Sequence, residues 1–374
     1  MTSPADLRAQ IPTLDRVRYM NAGASGPSPK PVVEAAESML RRHEFDSHAE
    51  EGPYPLASET YEEVRGVVAD FLGAGDSEIA LTQSTADGIT SIASAIEWEP
   101  GDTVVRTDLE HPAGVLPWAA LEREGVDARV VESEGGRIDR EAYAEAVRDA
   151  KLVCLSALTW NYGTHLPVSE LVDIAHESGA FVLVDAVQVP GHARFDVTDW
   201  GADAVAAAGH KWLLGTWGAG FLYVEESVAN ELHPGAVGYR SVETPTAESY
   251  EFKRGAPRFE VGTTNLAPYA ALREAIRTME DVGLDAVERR IDELAARLAE
   301  GVPDDRLVSP ASPESGLVSF TVEDPERTVE ALKERGFVLR SIPAPEGAVR
   351  ASLHVYNTEE DVDRLLDALD DAGW

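Results

Sequence analysis

Residues 181–188 read FVLVDAVQ, and residues 204–215 read AVAAAGHKWLLG. Each starts as a short apolar run with strand character and ends in chemistry: Asp185 closes the first run, and Lys211 follows the second. In a parallel α/β sheet, a polar residue at the carboxyl end of a buried strand faces the ligand crevice. A carboxylate there costs several kcal/mol unless a cation meets it. A pyridinium N–H is one such cation; an arginine or a helix N-terminus would serve a purely structural carboxylate as well. A lysine desolvated by an apolar, glycine-flanked segment has a lowered pKa and becomes a good amine nucleophile, suited to a Schiff base. The plain alternative is a lysine snorkelling from a strand end.

Outward from this pair, short apolar runs alternate with helical patterns. Strand character recurs at 79–82, 103–105, 128–131, 151–158 and 220–224, and helical patterns fall at 34–43, 60–72, 140–149 and 169–178. Such alternation predicts a mostly parallel sheet covered on both faces. Residues 265–300 read as one or two long helices interrupted near Gly283. Strands at 316–322, 337–340 and 349–355 with two helices then suggest a small α+β unit. The expected division is an N-terminal arm (1–20), a large α/β domain (21–264) and a small C-terminal domain (265–374).

Three more positions carry chemistry. The loop Ser84-Thr85-Ala86-Asp87-Gly88 joins a strand to a helix and offers free N–H groups at a positive helix end, which suits a phosphate. It matches neither the P-loop nor the dinucleotide glycine pattern, so nucleotide readings lose support; an ordinary N-cap is the plain alternative. His111 follows the strand at 103–106 and would stack on a planar ring or move a proton, unless it is a surface histidine. Arg350 sits inside a strand pattern, where a planar carboxylate is its best partner, either a substrate's or one of the chain's own. A phosphate cup, a carboxylate for a ring nitrogen, an amine for an aldehyde, a stacking ring and a carboxylate-binding arginine together describe a site for pyridoxal phosphate.

The 374 residues carry 67 Asp+Glu against 32 Lys+Arg, a net charge of −35. That charge repels nucleic acid and anionic lipid, so neither is expected as a partner. Only five residues are lysines: Lys30, Lys151, Lys211, Lys253 and Lys333. An acidic, lysine-poor surface suits a protein kept soluble in strong salt, as in a halophile's cytoplasm. The single cysteine, Cys154, lies in an apolar run, which excludes an intrachain disulfide and a cysteine-based zinc site. The first residues, MTSPADLRAQ, lack the regions of a secretory signal, and no stretch reads as a membrane span, so a cytoplasmic location is expected.

The sequence resembles the class V aminotransferase group of fold-type I pyridoxal-phosphate enzymes, which includes cysteine desulfurases, isopenicillin-N-epimerase-like proteins and C–S lyases. The stretches that carry the resemblance are YMNAGASGPSP, LTQSTADGIT, EHPAGVLPW, LTWNYGTHLPV, VLVDAVQ, AAGHKWLLGTWGAGFLYV, RFEVGTTN and VRASLHVYNTEEDVDRLL, in order from Tyr19 to Leu366. The resemblance implies a seven-stranded, mostly parallel sheet. It implies that Lys211 carries the cofactor as a Schiff base, with His210 at the phosphate and Asp185 at the pyridine nitrogen. Gln188 would bond the ring's phenolic oxygen, and His111 would stack on the ring. Thr85 and Ala86 would give amides to the phosphate, Asn161 would lie beside cofactor and substrate, and Arg350 would hold the substrate α-carboxylate. Gly262 and Thr263 would reach the phosphate of a neighbouring subunit, implying a homodimer with shared active sites.

The departures matter. Ala208 and Ala86 stand where relatives carry hydroxyls, and Thr216 where a proline is common. The loop that brings a cysteine to the site in desulfurases reads Ser341-Ile342-Pro343-Ala344-Pro345-Glu346-Gly347-Ala348, with no cysteine. Persulfide-forming desulfuration is therefore not expected. The favoured expectation is an aminotransferase-type reaction on an L-amino acid. Behind it stand a β-eliminating C–S lyase, an amino-acid epimerase, and a protein that binds the cofactor without turnover.

Overall fold

The computed structural model describes residues 2–343, 345 and 347–372. Its centre is a seven-stranded sheet in the order Ile79–Thr82, Gly220–Val224, Ala204–Ala208, Phe181–Asp185, Leu152–Ser156, Thr103–Thr107, Asp127–Val131. Six strands run the same way; Gly220–Val224 is antiparallel to both its neighbours. Most of these strands are apolar and buried along their whole length, the pattern of a sheet covered on both faces. The run Ala204–Ala208 is almost all alanine, and this smallness lets the helix Thr85–Ala95 lie close. A Cβ on Gly88 would already stand 3.1 Å from the Ala206 methyl.

Two helices begin earlier than the sequence pattern suggests. One runs Lys30–Arg41 and passes into a π-type turn at Arg42–Asp46; the other runs Pro53–Leu72. Each has a proline in its first turn, where proline removes only an N–H that has no partner anyway. Both helices pack on Ala267–Val282, and Gly283 (φ 90°) separates that helix from Leu284–Gly301.

A three-stranded antiparallel sheet follows, with Ala348–Ser352 between Leu317–Thr321 and Arg340–Ile342. It has its own apolar core, including Val318, Phe320, Val349 and Leu369. The expected strand at 337–340 divides: Phe337–Val338 pairs instead with Arg18–Tyr19, and Arg340 begins the next strand. The N-terminal segment thus bridges the two sheets. Gly26 N–H donates to the His210 carbonyl at 2.8 Å, and Asn21 bridges Ser352.

Candidate active site

Six strands of the large sheet end on the same edge, and the segments at or after five of these ends hold Thr85, His111, Trp160, Asp185 and Lys211. The cavity at this edge is lined by Thr85, Ala86, His111, Asp185, Gln188, His210, Lys211 and Arg350, and by Gly23, Ser84, Trp160, Trp217 and Arg340. The residues from Ser84 to Lys211 meet because parallel strands present their carboxyl ends together, while Gly23 comes from the N-terminal segment and Arg340 and Arg350 come from the three-stranded antiparallel sheet.

Asp185 and Lys211 are both buried. Asp185 Oδ1 accepts the Val187 N–H at 2.9 Å. Burial pushes its carboxyl up, while that bond and Lys211 pull it back. Burial pushes the Lys211 ammonium down to about 8; Asp185 opposes this, and Arg350 and Arg340 add to it. The loop after Lys211 is tightly held. Leu214 has φ 61°, the one positive φ outside glycine among the described residues, a conformation that costs about 1–2 kcal/mol. Leu214 is fully buried and its N–H donates to the Lys211 carbonyl at 3.1 Å, so packing holds the strain in place.

The helix Thr85–Ala95 aims its N-terminus at the cavity. Ser84 caps it by accepting the Asp87 N–H at 3.1 Å, and the first-turn amides have no partner within the helix. Thr85 Oγ1 is buried without a partner. Burial and Lys211 push His210 down to about 4. Burial and the nearby Lys211, Arg340 and Arg350 push His111 down to about 4 as well. His111 Nδ1 accepts the Ala113 N–H at 3.2 Å, which puts its proton on Nε2. Its ring stands edge-on to Trp160, with centroids 5.7 Å apart.

Arg350 is fully buried, and one nitrogen donates to the Trp160 carbonyl at 2.6 Å. Its Nε and its other terminal nitrogen have no partner. Burial, and then the charge of Arg340, push its proton affinity down. No carboxylate of the chain pairs with it among the described residues, so the structural ion-pair alternative fails. A buried guanidinium with two open nitrogens on a cavity is a site for a planar anion.

Asn161 is buried but is not among the cavity-lining residues; its neighbour Trp160 is. The Asn161 side-chain oxygen accepts the Tyr162 N–H at 3.1 Å, which turns it along its own loop. Gly262 and Thr263 also stand apart from this cavity and border separate clefts at the surface beside Arg240. Cys154 is buried in its strand, and its thiol is pushed well above its ordinary value by burial. Ala344 and Glu346 of the loop 341–348 lie outside the described residues.

The sequence reading passed over Glu110. It is buried, accepts the Thr107 and Ser156 hydroxyls at 2.7 and 2.6 Å, and takes the Ser156 N–H at 3.1 Å. Burial first, with a contribution from Asp185, raises it to about 7. Its place next to His111 in a strand-end loop puts it near the site but does not mark it as buried. Among the described residues no group of His, Cys, Asp and Glu is arranged to hold a metal ion, and no helix is long and apolar enough to cross a membrane.

These residues fit pyridoxal phosphate. The unpartnered Thr85 hydroxyl and helix amides suit its phosphate, buried Asp185 suits a protonated ring nitrogen, and Lys211 suits its aldehyde.

The family model "Aminotransferase class-V" matches residues 18–365. A protein named "Probable cysteine desulfurase" from Methanothermobacter thermautotrophicus is 34% identical over 390 residues, covering 98% of this chain and 97% of the relative. The apo structure of a cysteine desulfurase from Thermococcus onnurineus superposes with TM-score 0.91 at 31% identity, covering 100% of this chain and 98% of that one. The cystine C–S lyase C-DES, solved with its product cysteine persulfide, gives TM-score 0.88 at 28% identity, covering 97% and 99%. A variant of C-DES, with glycine covalently linked to its pyridoxal-phosphate cofactor, gives 0.91 at 27% identity with the same coverage.

Proposed function

The chain belongs to the class V aminotransferase family of fold-type I pyridoxal-phosphate enzymes, and from that premise we propose that it carries out an aminotransferase-type reaction on the α-amino group of an L-amino acid. Bound in the Lys211 cavity, pyridoxal phosphate supplies an aldehyde that captures amines and a ring that withdraws electrons from the amine's α-carbon. Lys211 would hold the aldehyde, and its amine is the group placed to move the substrate's α-proton. Its lowered pKa keeps a useful fraction of it neutral near pH 8. Asp185 keeps the ring nitrogen protonated, and His111 lies against the ring. Thr85, Ala86 and His210 hold the phosphate, and Gln188 meets the phenolic oxygen. Arg350 fixes the substrate carboxylate, which selects the bond at the α-carbon that is broken. In a homodimer, Gly262 and Thr263 of a second copy complete the phosphate site. Asn161 acts through the loop that carries Trp160. The division at 264/265 separates a cofactor-holding unit from one that brings Arg350.

One observation carries the choice of reaction. Among the described residues Asp185 is the only carboxylate lining the cavity, and His111 and His210 are both pushed down to about 4. Apart from Lys211, the described residues of the cavity then offer no acid at neutral pH to protonate a departing side chain, which favours transfer of the amino group over elimination. A second reading is supported by the likeness to a cystine C–S lyase. A leaving group that departs as a stable sulfur anion needs no acid, so β-elimination from cystine fits the same cavity without a loop cysteine. The experiment supplies candidate L-amino acids with and without a keto-acid acceptor. Acceptor-dependent keto acid supports transamination; pyruvate and sulfur anion from cystine with no acceptor replace it with lysis. The net charge of −35 supports work in a salt-rich cytoplasm, for which melting temperature should climb steeply with KCl; indifference to salt would count against it.

A further inference from the structure

Behind Lys211 the next side chain, Trp212, is fully buried, and its indole N–H donates to Gln188 Oε1 at 2.7 Å. The Gln188 amide nitrogen donates to the Gly23 carbonyl at 3.0 Å. An indole N–H can only donate and a backbone carbonyl can only accept, so both contacts force one orientation of the amide. We propose that Trp212 is a positioning residue for the cofactor: by capturing Gln188 Oε1 it leaves Gln188 only an N–H, and never a carbonyl oxygen, to offer the ring's phenolic oxygen. This rests on the reading of the Lys211 cavity as the pyridoxal-phosphate site.

The indole cannot turn away to relax the constraint. His354 stacks on it at 5.6 Å, and Tyr356 stacks on His354 at 4.9 Å. His192 stands edge-on to it at 4.8 Å. His354 Nε2 meets the Trp212 carbonyl at 2.9 Å. A Cβ on Gly191 would fall 2.4 Å from that same carbonyl, and one on Gly316 would fall 2.9 Å from the far edge of the indole. The other anchor is equally fixed, since a Cβ on Gly23 would come 2.6 Å from Leu317. Were the amide reversed, its oxygen would face the phenolic oxygen, two acceptors in a buried site.

The sign of the effect follows. An N–H aimed at the phenolic oxygen stabilises negative charge there. Without it, that oxygen shares its proton with the lysine-bound nitrogen more tightly, and the pH at which the visible band of the loaded enzyme changes should rise. The charged and titratable groups facing this part of the cavity are Lys211, Asp185, His111, His210, Arg340 and Arg350, and Glu110 is close enough to feel the charge of Asp185. Behind the indole, burial pushes His192 to about 3 and His354 to about 4, so both stay neutral over the range of interest, and Tyr356 is pushed well up. All of these are kept in every variant below.

The test is a spectrophotometric pH titration of the loaded wild type, Gln188→Leu, Trp212→Phe and the double variant. Gln188→Leu should raise the midpoint by about one pH unit, the effect of one hydrogen bond to a charged oxygen. Trp212→Phe keeps an aromatic ring and should reproduce at least half of that rise. The double variant should rise no further than Gln188→Leu alone, because Trp212 acts only through Gln188; a residue that merely packs would give no shift. An unshifted midpoint in Trp212→Phe, or additive shifts in the double variant, overturns the proposal. If Trp212→Phe does not fold, replacing the indole by its sulfur isostere benzothiophene keeps the shape, removes the N–H, and must give the same rise. A wild type with no visible band after incubation with pyridoxal phosphate overturns the cofactor site and this proposal with it.

Discussion

Lys211 is costly to the fold that holds it. Replacing it by methionine, similar in length and unable to ionise, should make the cofactor-free protein more stable at neutral pH. An ammonium pushed from 10.5 to about 8, chiefly by burial, is held at a cost of about 3.4 kcal/mol, at 1.36 kcal/mol per pH unit. Lys211 is also the cation that faces Asp185, and its removal leaves that carboxylate less favourable, so the net gain should fall between about 1 and 3 kcal/mol. The pH dependence is the stronger test. Below pH 8 the lysine is charged in both the folded and unfolded states, and the full cost is present. Between pH 8 and 10.5 the folded state has released the proton and the unfolded state still holds it, so wild-type stability rises with pH. Above 10.5 both are neutral and the difference vanishes. The advantage of Lys211→Met should therefore be largest below pH 8 and fade towards 10.5. Urea midpoints of cofactor-stripped wild type and variant, taken at pH 6.5, 8, 9.5 and 10.5 in molar KCl, measure it directly. Such salt screens surface charges to about 3 Å but leaves a buried one largely untouched. A variant less stable than wild type at pH 7, or a difference that does not change with pH, would refute the claim that Lys211 is held desolvated.

Glu110 makes a complementary case. Burial raises it from 4.5 to about 7, so between those values the folded state keeps a proton that the unfolded state has released. Wild-type stability should therefore fall as pH rises through this window, and Glu110→Gln should remove most of that fall when unfolding is compared at pH 5 and 8.5. Gly26→Ala would set a methyl 2.2 Å from the Lys211 carbonyl and 2.5 Å from Leu214. Because that loop already holds Leu214 at φ 61°, the expected loss is about 1–3 kcal/mol, with weaker retention of pyridoxal phosphate on dialysis. Arg350→Lys keeps the charge but loses the planar fork, so kcat/KM should fall about 10- to 150-fold, the loss of one charge-assisted hydrogen bond. A fall under threefold would show that the α-carboxylate binds elsewhere.

What could be read from the residues follows from how much each residue type tells. Asp185 and Lys211 were legible because each ends an apolar run, and parallel strands expose their carboxyl ends on one edge. Lys211 was doubly legible as one of five lysines. Glu110 is one of 67 acids in a chain whose composition makes another acid look like surface, and no local pattern separates a carboxylate bound by two hydroxyls and an amide from one in water. The antiparallel course of Gly220–Val224 was hidden for a related reason: a fully buried strand has the same apolar pattern in either direction, so the alternation supports a mostly parallel sheet but does not say which strand is reversed. That Trp160 rather than its neighbour Asn161 borders the cavity was not legible, because the loop after Leu152–Ser156 is neither helix nor strand, and no period tells which side chain turns inward. The least legible layer is the one behind the site. Trp212, His354 and Gly23 read as an aromatic after a lysine, a histidine near the C-terminus and a glycine near the N-terminus. Only the folded chain brings them together to fix which end of the Gln188 amide faces the cavity. The acid excess that keeps the surface hydrated thus hides a buried acid, while the same shift in composition leaves a buried lysine easy to see.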